Sequence, residues 1–281
     1  MAARFIAGES LQDALKAAHA LASKRIASML DELGEHVTTP GQAVATADDY
    51  VRALEAIAAE PALDCGISVK LTQLGLDLSF DGCVEHMARI LSTAKRSKTL
   101  VMIDMESHEY VDRTLEVHRR LREDHERVGL CLQSYLRRTA EDVFVLPDRS
   151  IVRLVKGAYL EPPGVAYGDR RTVSERFRSL FTTLLMRGHS VHVATHDPQL
   201  VEGARRFVEH RGMSWSRVEF QFLYGIRRDL QRRLARRGCP VRVYLPYGTD
   251  WYPYLTRRLA ERPANLWFFL TNLFRPSVSR G

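Results

Sequence analysis

Eight short runs rich in β-branched residues alternate with longer stretches of helical period, and this alternation limits the folds open to the chain. The runs are IASMLD from Ile26, GISVKL from Gly66, TLVMID from Thr99, VGLCLQ from Val128, IVRLVKG from Ile151, SVHVATH from Ser190, VEFQFL from Val218 and VRVYLP from Val241. Each leads into a stretch that reads as a helix, over about 43–59, 80–96, 108–126, 138–145, 171–187, 198–210, 227–237 and 250–261. Strands separated by helices pair in parallel, so eight such units in about 240 residues predict an α/β architecture, a (β/α)8 barrel of the TIM type. Ser10 and Asp13 form a capping pair for one more helix ahead of the first strand, with Leu11, Ala14, Leu15, Ala18 and Ala22 as its apolar stripe.

A doubly wound nucleotide-binding sheet is the rival, but it calls for G-x-G-x-x-G after an early strand or a Walker loop, and neither occurs. No Pro- or Gly-rich linker breaks the alternation, so the expectation is one domain over 1–281: a helical segment at 1–25, barrel and final helix at 26–261, and a tail at 262–281. With 45% hydrophobic residues the chain can bury a full core. No window has the length of apolar sequence that spans a membrane, and the N-terminus lacks a secretory signal, so a cytoplasmic location is expected. Cys65, Cys83, Cys131 and Cys239 are scattered, which excludes a zinc knuckle and reads as core. The net charge of +7 suits nucleic acid, an anionic membrane or an acidic cofactor without choosing between them. An arginine run such as RRDLQRRLARR, from Arg227, reads first as a solvated helix face.

Barrel chemistry happens where strands end, and nearly every strand here ends in a polar group. In order they are Asp31, Lys70, Asp104 with Glu106, Gln133, Arg153 with Lys156, Thr195 with His196, Gln221, and Tyr244. A single strand-end Asp or Gln is more often a cap than a ligand, but the set forms a ring. Arg153 and Lys156 lie within an apolar strand, where an unpaired charge is costly, so each must meet an anion or a carboxylate. Alternation puts Arg153 on the face opposite Leu154, and Asp104 is its nearest partner in kind. The loop LEPPGVAYGDRR, from Leu160, follows this strand and shows no clear pattern. Near the C-terminus, YLTRRLAER puts Tyr254, Arg257 and Arg258 on one helix face, which is either solvated or holds an anion. A metal reading of His189, His192 and His196 with Asp31 and Asp104 is weaker, since no H-E-x-x-H occurs. A serine hydrolase is weaker still without G-x-S-x-G.

The segments ISVKL, MIDME, LQSY, VRLVKGAY, ATHD, EFQFLYG and YLTRRLAE, in this order across nearly the whole chain, resemble the proline dehydrogenase family in its compact monofunctional bacterial form. The resemblance implies a distorted barrel, non-covalent FAD at its mouth, and oxidation of L-proline to Δ1-pyrroline-5-carboxylate, the first step of proline catabolism. Electrons would pass to a membrane quinone, with peripheral contact to the inner face of the cell membrane and a downstream pyrroline-5-carboxylate dehydrogenase as a partner; nucleic acid is not expected. Carried over residue by residue, Lys70, Arg257 and Arg258 grip the substrate carboxylate, and Asp104 and Arg153 stand at the reacting flavin. Tyr159, Leu223, Tyr244 and Tyr254 wall the proline ring. Flavin contacts fall on Met105, Gln133, Arg153, Lys156, Gly157, Ala158, Thr195, His196 and Glu261, and no metal is implied. A metal-dependent barrel hydrolase is the alternative. The chain departs from the family in a shorter segment before the first strand, a shorter LPYGTDWYP, and Leu160 where the bifunctional proteins tend to have tryptophan.

Overall fold

In the computed structural model, described over residues 5–34 and 36–252, the eight predicted runs are parallel strands closed into one barrel in chain order. The strands are β1 (Ala27–Glu32), β2 (Cys65–Val69), β3 (Val101–Ile103), β4 (Val128–Gln133), β5 (Ile151–Val155), β6 (Ser190–Ala194), β7 (Val218–Leu223) and β8 (Val241–Tyr247). The barrel closes where Ala27 to Glu32 pair in register with Arg242 to Tyr247. Helix α1 (Leu11–Ala22) precedes β1, and α2 (Pro40–Ala58), α3 (Phe80–Ser97), α4 (Val111–Arg122), α5 (Thr139–Asp142), α6 (Arg170–Met186), α7 (Pro198–His210) and α8 (Arg228–Arg236) follow β1 to β7.

Local chemistry explains where these helices start. Ser10 and Asp13 close the expected capping box on α1, and Thr39 with Gln42 closes another on α2, whose first residue is Pro40. Asp169 and Asp197 cap α6 and α7 with their carboxylates alone, accepting from the N–H of Thr172 and of Gln199 that the first helical turn leaves open. Two helices are shorter than their periodicity suggests. The 108–126 stretch opens as a short 3-10 turn at His108–Tyr110 and becomes α-helical only from Val111 to Arg122. The 138–145 stretch keeps one turn, Thr139–Asp142, and continues as turns and bends to Leu146. Trp251 and Tyr252 are helical; the rest of 250–261 lies outside the described residues.

Alternation along the strands sorts side chains into two cores. Residues such as Leu30, Ile67, Ile103, Leu130, Leu154, Val193, Phe220 and Val243 belong to the large apolar cluster packed with the helices. All four cysteines are buried and free, as expected. The alternate residues point into the barrel, where Met29, Leu100 and Met102 form a small plug with Ile151 and Tyr244. Gly66 and Gly129 make room for it. A Cβ on Gly66 would stand 3.0 Å from Met29 Cε, and one on Gly129 only 2.6 Å from Met102 Sδ.

Candidate active site

A cavity of about 760 Å³ opens above the plug at the C-terminal ends of the strands. Every described residue proposed from sequence for the site lines it: Lys70, Asp104, Met105, Gln133, Arg153, Lys156, Gly157, Ala158, Tyr159, Thr195, His196, Leu223 and Tyr244. Tyr254, Arg257, Arg258 and Glu261 lie outside the described residues.

The floor is a charged network drawn from five strands or strand ends. Arg153 Nη1 donates to Asp104 Oδ1 at 2.5 Å, which is the pairing expected from residue type, and to Ser68 Oγ at 2.9 Å. Ser68 in turn donates to the same Asp104 oxygen at 2.7 Å. Tyr244 donates its hydroxyl to Asp104 Oδ2 at 2.7 Å, and the Arg153 guanidinium lies over the Tyr244 ring, 5.2 Å from its centre. Lys70 donates to Asp31 at 2.8 Å and stands 3.7 Å from Asp104. Burial on its own pushes the Asp104 carboxyl up, but Arg153, Lys70 and the hydroxyls of Ser68 and Tyr244 outweigh it and hold the group below the usual range. Asp31, which has no exposure at all, goes the other way: burial raises its carboxyl and the neighbouring Asp104 charge adds to that, against the pull of Lys70. Two carboxylates thus share one ammonium, and they answer to it differently.

The walls are held by backbone geometry as much as by side chains. Lys156 reaches Asp197 Oδ2 at 2.9 Å and Ser174 Oγ at 3.0 Å, so the second strand-borne cation also meets a carboxylate. Leu223 N–H donates to His196 Nε2 at 3.1 Å, which places the proton of a neutral ring on Nδ1. Gly157 has a φ of +118°, and a Cβ there would fall 2.2 Å from the Tyr135 ring, so this corner requires glycine. Gln133 donates its amide to the carbonyls of Met105 and Glu106 at 3.3 and 3.2 Å, leaving its buried Oε1 without a partner among the described residues.

Sequence reasoning missed several members. Ser68 sits two residues before Lys70, so alternation alone places both on one face; that signal was available. Gln221 stands among the strand ends with no role assigned from sequence, and Asp31 only in the metal reading. The patternless loop after β5 is tied down: Glu161 accepts from the backbone and ring of His108 and from Tyr135 at 3.3 Å, and Leu136 bridges Ala166. No spacing rule marks those contacts. Leu160, where the bifunctional proteins tend to have tryptophan, is fully exposed and does not line the cavity.

The family model for proline dehydrogenase matches residues 14–269. The chain belongs to the proline dehydrogenase family. It is similar to the proline dehydrogenase of Deinococcus radiodurans, with 42% identity over 281 aligned positions covering 98% of this chain and 90% of that one. Proline dehydrogenase 1 of Bacillus subtilis subsp. natto is 40% identical over 275 residues, 98% of this chain and 91% of its own. In fold, the chain matches the crystal structure of proline utilization A from Bdellovibrio bacteriovorus inactivated by N-propargylglycine, with a TM-score of 0.85 at 23% identity. That alignment covers 92% of this chain and 32% of the longer protein, so this chain spans about a third of that protein. The hydrolase alternative finds no support among these relatives, and no group of three or more His, Cys, Asp or Glu residues suited to a metal occurs among the described residues. No helix among them is long and apolar enough to cross a membrane.

Proposed function

We propose that this protein oxidises L-proline to Δ1-pyrroline-5-carboxylate, using non-covalently bound FAD and passing the electrons to a membrane quinone. The observation that carries this reading is the Lys70, Asp104, Arg153 and Tyr244 cluster on the floor of a cavity large enough for a cofactor and a small amino acid. The residues present fit a flavin: Gln133 Oε1 is a buried acceptor without a donor among the described residues, ready for a ring N–H. Met105, Gln133, Lys156 to Ala158, Thr195 and His196 would hold it, with Glu261 beyond the described residues. When bound, FAD supplies the hydride acceptor.

The chain's own task is positioning and charge placement. Lys70, with Arg257 and Arg258, binds the proline carboxylate; Tyr159, Leu223, Tyr244 and Tyr254 fit the ring and keep water from its reacting face. Arg153, fixed by Asp104 and Ser68, presents positive charge where negative charge arrives. The substrate amine must lose its proton before it can give up hydride, and nearby cations favour that loss. Lys70 and Arg153 are each held by a carboxylate, which lessens their share of this effect. The test is the visible spectrum of the purified protein with L-proline added in the absence of oxygen. Bleaching of a flavin spectrum supports the cofactor and the substrate; a flavin that stays oxidised assigns the site to another substrate, and a protein that takes up no FAD overturns the reading.

A further inference from the structure

Below the cavity floor lies a second polar cluster that the proposed reaction does not use. Glu219 and Arg242 face each other at the N-terminal ends of β7 and β8, with Arg242 Nε donating to Glu219 Oε1 at 2.9 Å. Arg242 also donates to Asp64 Oδ1 at 2.9 Å and to the Ser28 carbonyl at 2.8 Å. Gln221, two residues above Glu219 on β7 and 4% exposed, joins this cluster to the floor.

We infer that Gln221 is a positioning residue for Arg153, anchored from below by Glu219 and Arg242, and that this bridge holds the guanidinium in place without neutralising it. The inference rests on the flavin reading above. An amide is symmetrical in shape but not in hydrogen bonding, and its surroundings decide which end points where. The Gln221 amide nitrogen donates downward to Glu219 Oε1 at 2.8 Å and to His192 Nδ1 at 2.8 Å. Both are acceptors, since Glu219 is ionised and buried His192 is neutral. The amide oxygen is therefore left facing Arg153, whose Nε donates to it at 2.7 Å. Glu219 spends its charge on Arg242, so the negative charge beneath is not delivered to Arg153. Arg153 gains a fixed acceptor, and Asp104 is the one carboxylate paired with it among the described residues. A glutamate side chain in place of Gln221 would instead add a second negative charge to the guanidinium.

The experiment compares Gln221→Met and Gln221→Glu in the FAD-loaded protein by equilibrating the bound flavin against a dye of known potential between about pH 5 and 9. Methionine keeps the length and removes all three hydrogen bonds. The bridge predicts a ratio of reduced to oxidised flavin at least about tenfold lower than in the parent, a loss of roughly 1.4 kcal/mol. In Gln221→Glu, the new carboxyl, while protonated, donates to Glu219 and accepts from Arg153 as the amide does. The groups facing it are Arg153 from β5, His192 from β6, Glu219 on its own strand and Arg242 from β8, with Asp104 and Tyr244 beyond Arg153. Gln221→Glu therefore behaves as the parent at the acid end and joins Gln221→Met as pH rises. A ratio within about twofold of the parent in both variants at every pH overturns the inference. Flavin-free protein separates this outcome from a failure of the functional reading. There, loss of the Gln221 donor lets protonated His192 bond to Glu219, and its titration, followed by NMR, moves up from about 4 by at least roughly one unit in Gln221→Met. An unmoved His192 also overturns the bridge.

Discussion

The mouth and the base of the barrel are built from the same residue types and end in different states. At the base, the donors of Arg242 meet oxygen from Glu219, Asp64 and Ser28, and the cluster is closed to the cavity. At the mouth, Arg153 has Asp104, Ser68 and Gln221 on two of its nitrogens, while among the described residues Nη2 meets only the thioether of Met29, at 3.1 Å. Sulfur is a weak acceptor. On the function proposed above, a buried arginine with saturated oxygen partners serves as scaffold, whereas one held firmly but incompletely is left open to the reaction.

The largest effect expected from this contrast is on stability at the base. Arg242→Met leaves Glu219 buried without its cation and should cost about 3–5 kcal/mol in a denaturant titration. A loss below about 1 kcal/mol would remove the distinction between the two regions. At the mouth, Lys70→Met should raise the KM for proline at least about tenfold while FAD stays bound, since a charged hydrogen bond is worth roughly 1.5–3 kcal/mol. An unchanged KM in steady-state kinetics would take Lys70 out of the carboxylate site.

Two buried histidines away from the cavity lining add acid sensitivity at mildly acidic pH. Burial lowers His118 and His192 to about 4, so both are neutral when folded at pH 6, while in the unfolded chain they take up protons near 6.5. The unfolded state binds more protons between those values, so their contribution is complete above about pH 6.5 and is lost as pH falls toward 4, at up to roughly 1.4 kcal/mol per pH unit for each. His118→Leu should flatten the slope of stability against pH by one such share; an unaltered slope would mean His118 binds its proton equally in the folded and unfolded states. The smallest effect is at exposed Leu160, where Leu160→Ser should change both stability and flavin affinity by less than about 0.5 kcal/mol. A larger loss of flavin affinity would bring that side chain back to the site.

The eight strands were legible because alternation in a barrel strand is enforced from both sides, by helices outside and by the plug and polar floor within. The short β3, Val101–Ile103 within the run TLVMID, shows the limit, since pairing partners decide where a ladder stops. Helix starts were legible where a cap announces them, as at Ser10; the late start of α4 after its 3-10 turn had no such mark. In the site, strand-end position found Lys70, Asp104, Arg153 and Tyr244. It could not rank Gln221, because its role depends on Arg153, 68 positions away, and on Glu219 beneath it. The Glu161 contact to His108, 53 positions apart, is likewise a property of the folded loop. Of the proposed carboxylate clamp, the described residues place Lys70; Arg257 and Arg258 rest on the family resemblance.

The most direct test of the division between mouth and base is the rate of flavin reduction in Arg153→Met at saturating L-proline, measured by anaerobic rapid mixing. If Arg153 meets charge as it arrives, the rate falls at least about 100-fold, in line with the roughly 2.7–4 kcal/mol lost when a preorganised donor is removed, while the KM and the folding midpoint move far less. A reduction rate equal to the parent's would contradict the account and leave Arg153, like Arg242, a part of the scaffold.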